Sequence, residues 1–264
     1  MARLVEFENY TREMLRGIVD EAPSDRGMIF VHGFERTTLE SKFKHIVDAL
    51  KSRVTMFRFD FSGCGLSEGS FEDLTVEKLS KELDVAVDTF HKECPSIQKI
   101  AFVGFSLGCC IITRYLSSKK TIPEKMALFA PGFNQKQLLR YFFARQQHRD
   151  ILITWDNFAS YFDERAFQLD IQRHRRMMKE HYLSNTYFTE NAEKDYQQDF
   201  LSLSLDSKSV LILQGTDDDK VPPASNDLVY TYYQPLLVQK GDHDLQRPDM
   251  VEQYFERLIS FLRK

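Results

Sequence analysis

Cysteine is scarce in this chain of 264 residues, with four in all. No two cysteines form a C-x-x-C pair and no histidine stands at zinc-finger spacing, which excludes the common cysteine-based metal sites and a dense disulfide framework. We therefore expect free thiols in a reducing compartment and a cytoplasmic protein. Positive charge is not in excess either, since 35 lysines and arginines are interspersed with 39 acidic residues for a net charge of −4. No nucleic-acid partner is expected.

Long apolar segments are missing as well. The longest nearly apolar run, residues 100–112, has 13 residues and contains two glycines and a serine. A transmembrane helix needs about 18 or more apolar residues, so no membrane span is predicted. The first ten residues alternate apolar and charged side chains where a secretory signal peptide has an unbroken apolar stretch. Export by that route is not expected.

Short apolar runs typical of buried strands alternate with segments of helical periodicity, after two alternating stretches that predict an antiparallel pair. The predicted strands are Arg3–Glu8, Glu13–Asp20, Met28–Val31, Val54–Phe59, Ile100–Val103, Met126–Ala130, Val210–Leu213 and Leu236–Val238. The predicted helices contain Phe43–Leu50, Val76–Phe90 after an N-cap at Thr75, Cys109–Ser117 and Met250–Phe261. This alternation predicts an α/β fold, with a mostly parallel central sheet and helices on both faces.

The alternation stops near residue 132, and the next predicted strand begins only at Val210. We interpret residues 132–207 as a cap inserted into a core made of residues 1–131 and 208–264. The segment holds 14 of the chain's 34 aromatic residues; most are expected to form the cap's own core and a few to contact a ligand. Its basic stretch is compatible with a helix and is interpreted as a solvated face without metal-site spacing; it contains Arg173, His174, Arg175, Arg176, Lys179 and His181.

The segment Gly104-Phe105-Ser106-Leu107-Gly108 matches the pattern G-x-S-x-G between a predicted strand and a predicted helix. This is the context of a nucleophile elbow, a tight turn that exposes a serine hydroxyl at the edge of a parallel sheet. Glycines are needed because a Cβ atom at either position would collide with neighbouring groups. A serine hydroxyl reacts poorly at its ordinary pKa, so catalysis requires a histidine base and a carboxylate that orients the histidine.

Acidic residues and a histidine follow two later predicted strands. The three aspartates 217–219 follow Val210–Leu213, and His243 follows Leu236–Val238. Because the carboxyl ends of parallel strands meet at one edge of a sheet, both loops are expected to converge on Ser106. On these grounds alone each of the three aspartates is a candidate for the acid.

The motifs together resemble those of the α/β-hydrolase superfamily, in its serine esterase and lipase group. The segments that carry the resemblance are, in family order, His32-Gly33-Phe34, Asp60–Gly69, Gly104–Gly108, Gly215–Pro222 and Gly241–Asp244. Within the group the chain is most similar to small capped acyl esterases, which include cinnamoyl (feruloyl) esterases and monoacylglycerol-lipase-like enzymes. The resemblance covers nearly the whole chain except the interpreted cap.

The resemblance implies roles for five residues. Ser106 would be the nucleophile, and His243 the general base and later the general acid. Asp218 would be the acid, because it occupies the aspartate position of the family pattern G-x-x-D-x-x-V-P. The backbone N–H groups of Phe34 and Leu107 would form the oxyanion hole.

The implied function is hydrolysis of carboxylic esters with small, apolar or aromatic acyl groups through an acyl-Ser106 intermediate. The substrate would be a small-molecule ester, and neither a cofactor nor a metal is required. A thioesterase or a monoacylglycerol lipase would use the same residues, and a ligand-binding protein without turnover is the alternative of another class. His32 is interpreted as a loop-shaping residue, and Asp60–Gly65 as a structural turn that lacks the ending of a phosphate loop.

Overall fold

The computed structural model describes residues 2–178 and 181–263. The strands in these residues are β1 (Ala2–Glu8), β2 (Met14–Asp20), β3 (Arg26–Val31), β4 (Thr55–Asp60), β5 (Lys99–Phe105), β6 (Lys125–Phe129), β7 (Arg175–Met177), β8 (Tyr182–Ser184), β9 (Val210–Gly215) and β10 (Leu236–Val238). The α-helices are α1 (Ser41–Leu50), α2 (Val76–Glu93), α3 (Leu107–Lys119), α4 (Gln135–Gln147), α5 (Glu164–Ile171), α6 (Asn185–Asn191), α7 (Tyr196–Ser202), α8 (Asp227–Tyr230) and α9 (Pro248–Arg263).

Eight strands of the described residues form one sheet, in the order β1, β2, β4, β3, β5, β6, β9, β10. Strand β2 runs antiparallel to both of its neighbours, β1 and β4. The pairs from β4 through β10 are parallel. Every strand predicted from the sequence is present within a few residues of its predicted bounds. The prediction of a mostly parallel sheet that begins with an antiparallel pair is therefore confirmed.

Helices cover both faces of this sheet, and the side chains of β3 show how. Ile29 and Val31 belong to a core cluster that includes side chains of α2 and α3. Met28 and Phe30 belong to a second cluster with side chains of α1 and α9. Successive side chains of a strand point to opposite faces, so a strand that is apolar throughout is buried between two helical layers. No helix in the described residues is long and apolar enough to cross a lipid bilayer.

A long segment connects β6 to β9, and the structure describes its residues 130–178 and 181–209. It contains α4 to α7 and an antiparallel pair formed by β7 and β8. The interpretation of the basic stretch as compatible with a helix is wrong, because the stretch contains the strand β7. Lys179, which also belongs to this stretch, lies outside the described residues. Arg176 turns inward to the carboxylate of Asp170 and the ring of Phe188, and such tertiary contacts override a local helix preference.

A carboxylate of this segment caps a helix of the neighbouring layer. Glu190, in α6, accepts hydrogen bonds from the backbone N–H groups of Val76 and Glu77 at 2.7 and 2.8 Å. These N–H groups begin α2 and have no partner within the helix, and the helix dipole favours negative charge at this end. The contact therefore joins the β6–β9 segment to α2.

We expect Glu190→Gln to lower the free energy of unfolding by about 1 kcal/mol, because an amide is uncharged and offers one acceptor oxygen to two N–H donors. Denaturant unfolding of the two proteins measures the difference. Glu256→Gln, at an exposed position of α9, is the matched control and should leave stability unchanged. Equal stability of Glu190→Gln and the wild type would show that the Glu190 carboxylate at the beginning of α2 does not stabilise the fold.

Candidate active site

Ser106 forms the turn between β5 and α3. Its backbone has φ +52° and ψ −116°, a combination that L-residues rarely adopt and that costs roughly 1–3 kcal/mol. Neighbouring backbone fixes the turn: the Ser106 N–H donates to the Phe129 carbonyl at 2.9 Å, and the Gly132 N–H donates to the Ser106 carbonyl at 3.2 Å. The structure thus places Ser106 in the sharp strand-to-helix turn expected from G-x-S-x-G.

Gly108, in the first turn of α3, lets this helix approach β3 closely. A Cβ atom at this position would lie 2.3 Å from the Val31 carbonyl oxygen and 2.8 Å from that of His32. Both atoms belong to the backbone, so no side chain could move aside to make room. The close approach places the beginning of α3 beside the loop after β3, which contains Phe34.

His243 and Asp218 lie next to Ser106, although the three residues are far apart in the sequence. Nε2 of His243 is 3.1 Å from Oγ of Ser106, and Nδ1 is 2.8 Å from Oδ2 of Asp218. An ionised carboxylate only accepts hydrogen bonds, so Nδ1–H donates to Asp218 and Nε2 is left to accept from the serine hydroxyl. The structure brings together the three residues that the sequence analysis selected as nucleophile, base and acid.

Of the three consecutive aspartates, the middle one is buried, and those before and after it are exposed. Oδ1 of Asp218 accepts from the backbone N–H groups of Lys220 and Val221 at 3.0 and 2.8 Å. These bonds fix the carboxylate and leave Oδ2 directed at His243. The loop therefore distinguishes Asp218 from its neighbours by burial and by hydrogen bonding.

Gln214, which the sequence analysis did not select, completes the surroundings of Asp218. It is fully buried in β9, and its Nε2 donates to Oδ2 of Asp218 and to the Val221 carbonyl, both at 3.1 Å. Its Oε1 accepts from the hydroxyl of Tyr230 at 2.7 Å. A signal was present, because a glutamine near the end of an otherwise apolar strand needs buried hydrogen-bond partners.

Phe34 and Leu107, expected to supply the oxyanion hole, both line the cavity that contains Ser106 and His243. A Cβ atom at Gly33 would lie 3.2 Å from Cβ of Ser106, so the loop after β3 runs directly against the elbow. Among the described residues, neither the Phe34 nor the Leu107 backbone N–H donates to a protein acceptor. Both N–H groups are available for a hydrogen bond to a ligand.

His32 is buried beside the elbow but does not belong to the relay of hydrogen bonds. Its Nδ1 lies 3.0 Å from the Gly33 carbonyl oxygen, and its Nε2 accepts from the Phe61 N–H at 3.1 Å. This pattern requires a neutral ring with its proton on Nδ1, and burial lowers the pKa of His32, which favours that neutral form. Backbone groups occupy both ring nitrogens, so His32 holds the loop after β3.

A cavity of about 830 Å³ has Ser106 and His243 in its wall. The β6–β9 segment contributes much of the lining, including five aromatic rings, those of Phe142, Phe143, Phe167, Tyr187 and Phe188. Other rings of the segment pack on one another, as Phe158 does on Tyr141 and Trp155 with ring centres 5.6 and 5.1 Å apart. The segment thus divides its rings between its own core and the cavity.

Three arginines of the same segment also line the cavity, namely Arg173, Arg175 and Arg176. The side chains of Arg173 and Arg175 are 72% and 52% exposed, and that of Arg176 is 16% exposed. The basic stretch, interpreted from the sequence as a solvated face, therefore also contributes side chains to the cavity wall. Local sequence pattern could not reveal the cavity position, because it depends on how β7 and β8 pack on the rest of the segment.

A buried cation lies against the strand that leads into the elbow. Nζ of Lys42, in α1, is 3.0 Å from the ring centre of Phe105 and 3.0 Å from Oε2 of Glu40. The Phe105 ring in turn contacts the imidazole of His243, with ring centres 5.0 Å apart. Burial lowers the pKa of Lys42 to about 8, and the negative charge of Glu40 opposes part of that shift.

The cysteines form no further reactive centre. Cys64, Cys94, Cys109 and Cys110 are buried free thiols, and burial raises the pKa of Cys64 to about 12. In residues 2–178 and 181–263, no group of three or more histidine, cysteine, aspartate and glutamate side chains could hold a metal ion.

Residues 28–257 match the model of the alpha/beta hydrolase family, so the chain belongs to that family. The resemblance drawn from the motifs is confirmed at this level. Comparison with curated protein sequences gives no match.

Solved structures of three other proteins illustrate the same fold. Est1E from Butyrivibrio proteoclasticus, with ferulic acid bound, is 16% identical with a TM-score of 0.70, over 98% of this chain and 100% of that chain. The alpha/beta hydrolase GrgF from a Penicillium species is 17% identical with a TM-score of 0.72, over 100% and 98%. Esterase PF2001 from Pyrococcus furiosus is 16% identical with a TM-score of 0.67, over 100% and 90%. These similarities establish the shared fold.

The lowered pKa of Lys42 predicts that stability rises with pH. Between about pH 8 and pH 10.5 the unfolded chain keeps a proton on Lys42 that the folded chain has released, so raising the pH favours folding. We expect the free energy of unfolding of the wild type to increase over this range relative to that of Lys42→Met. Denaturant unfolding of both proteins at matched pH values measures this difference. A constant difference would contradict the lowered pKa.

Proposed function

We propose that this alpha/beta hydrolase is a serine hydrolase that cleaves carboxylic esters of small, apolar or aromatic acyl groups through an acyl-Ser106 intermediate. The observation that carries the proposal is the relay of hydrogen-bond distances from Oγ of Ser106 through His243 to Asp218. Ser106 and His243 lie in the wall of a cavity large enough for a small molecule. Acyl transfer requires a nucleophile, a base and oxyanion donors, and no cofactor.

Ser106 is the proposed nucleophile because its hydroxyl lies within hydrogen-bond reach of a base. The hydroxyl proton passes to Nε2 of His243 as Oγ attacks the carbonyl carbon of the ester. The imidazolium that forms is stabilised by Asp218, which also keeps the other ring proton on Nδ1. Hydrogen bonds from Gln214 and from loop N–H groups hold the carboxylate in place for this role.

The attack turns the carbonyl oxygen into an oxyanion, which the backbone N–H groups of Phe34 and Leu107 bind. Leu107 is the first residue of α3, so the dipole of this helix adds positive potential at the oxyanion. The fixed backbone at Ser106 and Gly108 orients these donors before the substrate arrives. Fixed donors of this kind are typically worth about 10²- to 10³-fold each in kcat.

His243 then donates its proton to the leaving alkoxide oxygen, the ester bond breaks, and the acyl group remains on Oγ of Ser106. A water molecule attacks the acyl carbon while Nε2 of His243 accepts its proton. The second tetrahedral intermediate collapses with His243 as the acid, which releases the carboxylic acid and restores the serine hydroxyl. The same three side chains therefore serve both halves of the reaction.

Residues 132–207 are proposed to act as a cap over the bound acyl group. The aromatic rings that this segment contributes to the cavity support an apolar or aromatic acyl group, because they offer contact area and few hydrogen-bond partners. Phe143 and Phe167 pack edge to face with ring centres 5.5 Å apart, which gives this wall a defined shape. The cap would also exclude water from the acyl enzyme until the alcohol has left.

A fluorophosphonate probe tests the proposed nucleophile, because it forms a covalent bond with an activated serine hydroxyl. We expect the wild type to gain the mass of one phosphonyl group, with fluoride as the leaving group, and Ser106→Ala to gain none, as measured by mass spectrometry of the intact proteins. Ser202→Ala, at an exposed position of α7, is the matched control and should be labelled like the wild type. A wild type that resists the probe would favour a ligand-binding protein without turnover.

We expect His243→Ala to lower kcat for p-nitrophenyl butyrate by roughly 10³-fold or more, because the variant lacks the base, while KM and thermal stability change little. Steady-state kinetics and a thermal melt measure both effects. His91→Ala, at an exposed position of α2, should keep wild-type kinetics. Comparable turnover in His243→Ala would remove His243 from its proposed role.

A further inference from the structure

We propose that the substrate of this site is an ester whose apolar chain ends in an anionic group, a carboxylate or a phosphate, at a distance from the ester bond. The proposal rests on the serine hydrolase function proposed above and adds the chemical class of the ester. It is carried by the charge of the cavity wall and by the way in which that wall holds its arginines.

The described lining of the cavity has an excess of positive charge. Five cationic side chains line it against two carboxylates; they are Arg36, Arg173, Arg175, Arg176 and Lys220 against Glu35 and Asp170. The whole chain has a net charge of −4, so the excess is local to the cavity. A cleft lined by charge of one sign concentrates small molecules of the opposite sign.

Two of these cations are engaged beside the proposed triad. Arg36 donates to Oδ1 of Asp244 at 2.5 Å, and Nζ of Lys220 is 3.9 Å from Oδ2 of the same residue. Asp244 directly follows His243, so these charges are partly compensated at the end of the cavity where the ester would be cleaved. The remaining excess belongs to the three arginines of the β6–β9 segment.

Among those arginines, two share one carboxylate. Nη2 of Arg176 is 2.7 Å from Asp170, and Nε of Arg173 is 3.3 Å from it. A single carboxylate neutralises only one of two guanidinium charges. The ion pair between Arg175 and Glu72 is long, at 3.8 Å, and half of the arginine side chain is exposed, so this pair contributes little. The wall therefore keeps positive charge that an anionic ligand can neutralise.

Aromatic rings hold two of the guanidinium groups before any ligand binds. Cζ of Arg175 is 4.3 Å from the ring centre of Tyr182, and Cζ of Arg176 is 4.0 Å from that of Phe188. Stacking restricts the rotamers of these side chains, so less conformational entropy is lost when they bind an anion. A planar guanidinium also matches the two oxygens of a carboxylate or phosphate.

The same cavity requires an apolar part of the ligand. Leu138, Leu139, Phe143 and Phe167 belong to its lining and offer no side-chain hydrogen bond. A small, fully polar anion would leave these side chains in contact with water, and a neutral apolar ester would leave the excess positive charge of the wall without compensation. An apolar chain with an anionic end satisfies both parts of the wall.

Matched esters test this proposal. p-Nitrophenyl octanoate and mono-p-nitrophenyl suberate have acyl chains of equal length that end in a methyl group and a carboxylate. Hexyl acetate and 6-acetoxyhexanoate make the same comparison on the alcohol side. In at least one pair, we expect kcat/KM of the wild type to be about tenfold higher for the anionic ester at low ionic strength. Salt at about 0.5 M should reduce that ratio several-fold by screening.

A double variant tests two of the three arginines. Arg173→Gln with Arg175→Gln removes two charges from largely exposed side chains. We expect this variant to lose most of the wild-type preference for the anionic ester, measured as the ratio of kcat/KM for the anionic ester to kcat/KM for the neutral ester. Arg149→Gln with Arg165→Gln changes the net charge equally at exposed positions outside the cavity lining, and it should keep the wild-type ratio.

The possible results distinguish a failure of this inference from a failure of the proposed hydrolase function. A wild type that hydrolyses the neutral esters and prefers neither anionic ester would overturn the inference and leave the hydrolase function standing. An anionic preference that survives in the Arg173 and Arg175 double variant would also overturn it. If none of the four esters is hydrolysed and the fluorophosphonate probe does not react, the proposed function itself fails.

Discussion

The close approach of α3 to the end of β3 is the constraint on which the rest of the site depends. It is possible only because Gly108 lacks a Cβ atom that would otherwise meet two backbone carbonyl oxygens. The chain must then turn within one residue between β5 and α3, which forces Ser106 into its positive φ. Hydrogen bonds to Phe129 and Gly132 and the packing of both elements in the core offset this strain.

The parallel sheet brings together in space residues that are far apart in the sequence. Strands β3, β5, β9 and β10 all run in the same direction, so the loops that follow them meet at one edge. Those loops carry Phe34, Ser106, Asp218 and His243. The ends of β3, β5 and β9 that lead into these loops are buried and lie between two paired neighbours, so three of the loops start from fixed points, whereas β10 is an edge strand that pairs with β9.

Electrostatics divide the site into two regions. Around Asp218 the groups are buried and hydrogen-bonded, so their interactions are strong and little affected by salt. Arg173 and Arg175 in the cavity wall are largely exposed, so their interactions are weaker and screened within about 10 Å at ordinary ionic strength. The buried region suits proton transfer and charge stabilisation, whereas the exposed region suits attraction and selection of a charged ligand.

The sequence by itself determined the eight strands of the main sheet, the helices that cover it and the position of the elbow, because hydrophobic periodicity and glycine spacing depend on local burial and local backbone conformation. Its motifs also singled out Asp218, through family resemblance, from three adjacent aspartates. Only the tertiary structure decided that Gln214 supports this carboxylate and that Arg173, Arg175 and Arg176 line the cavity. Those contacts join segments far apart in the chain, and they depend on packing geometry that no local pattern records.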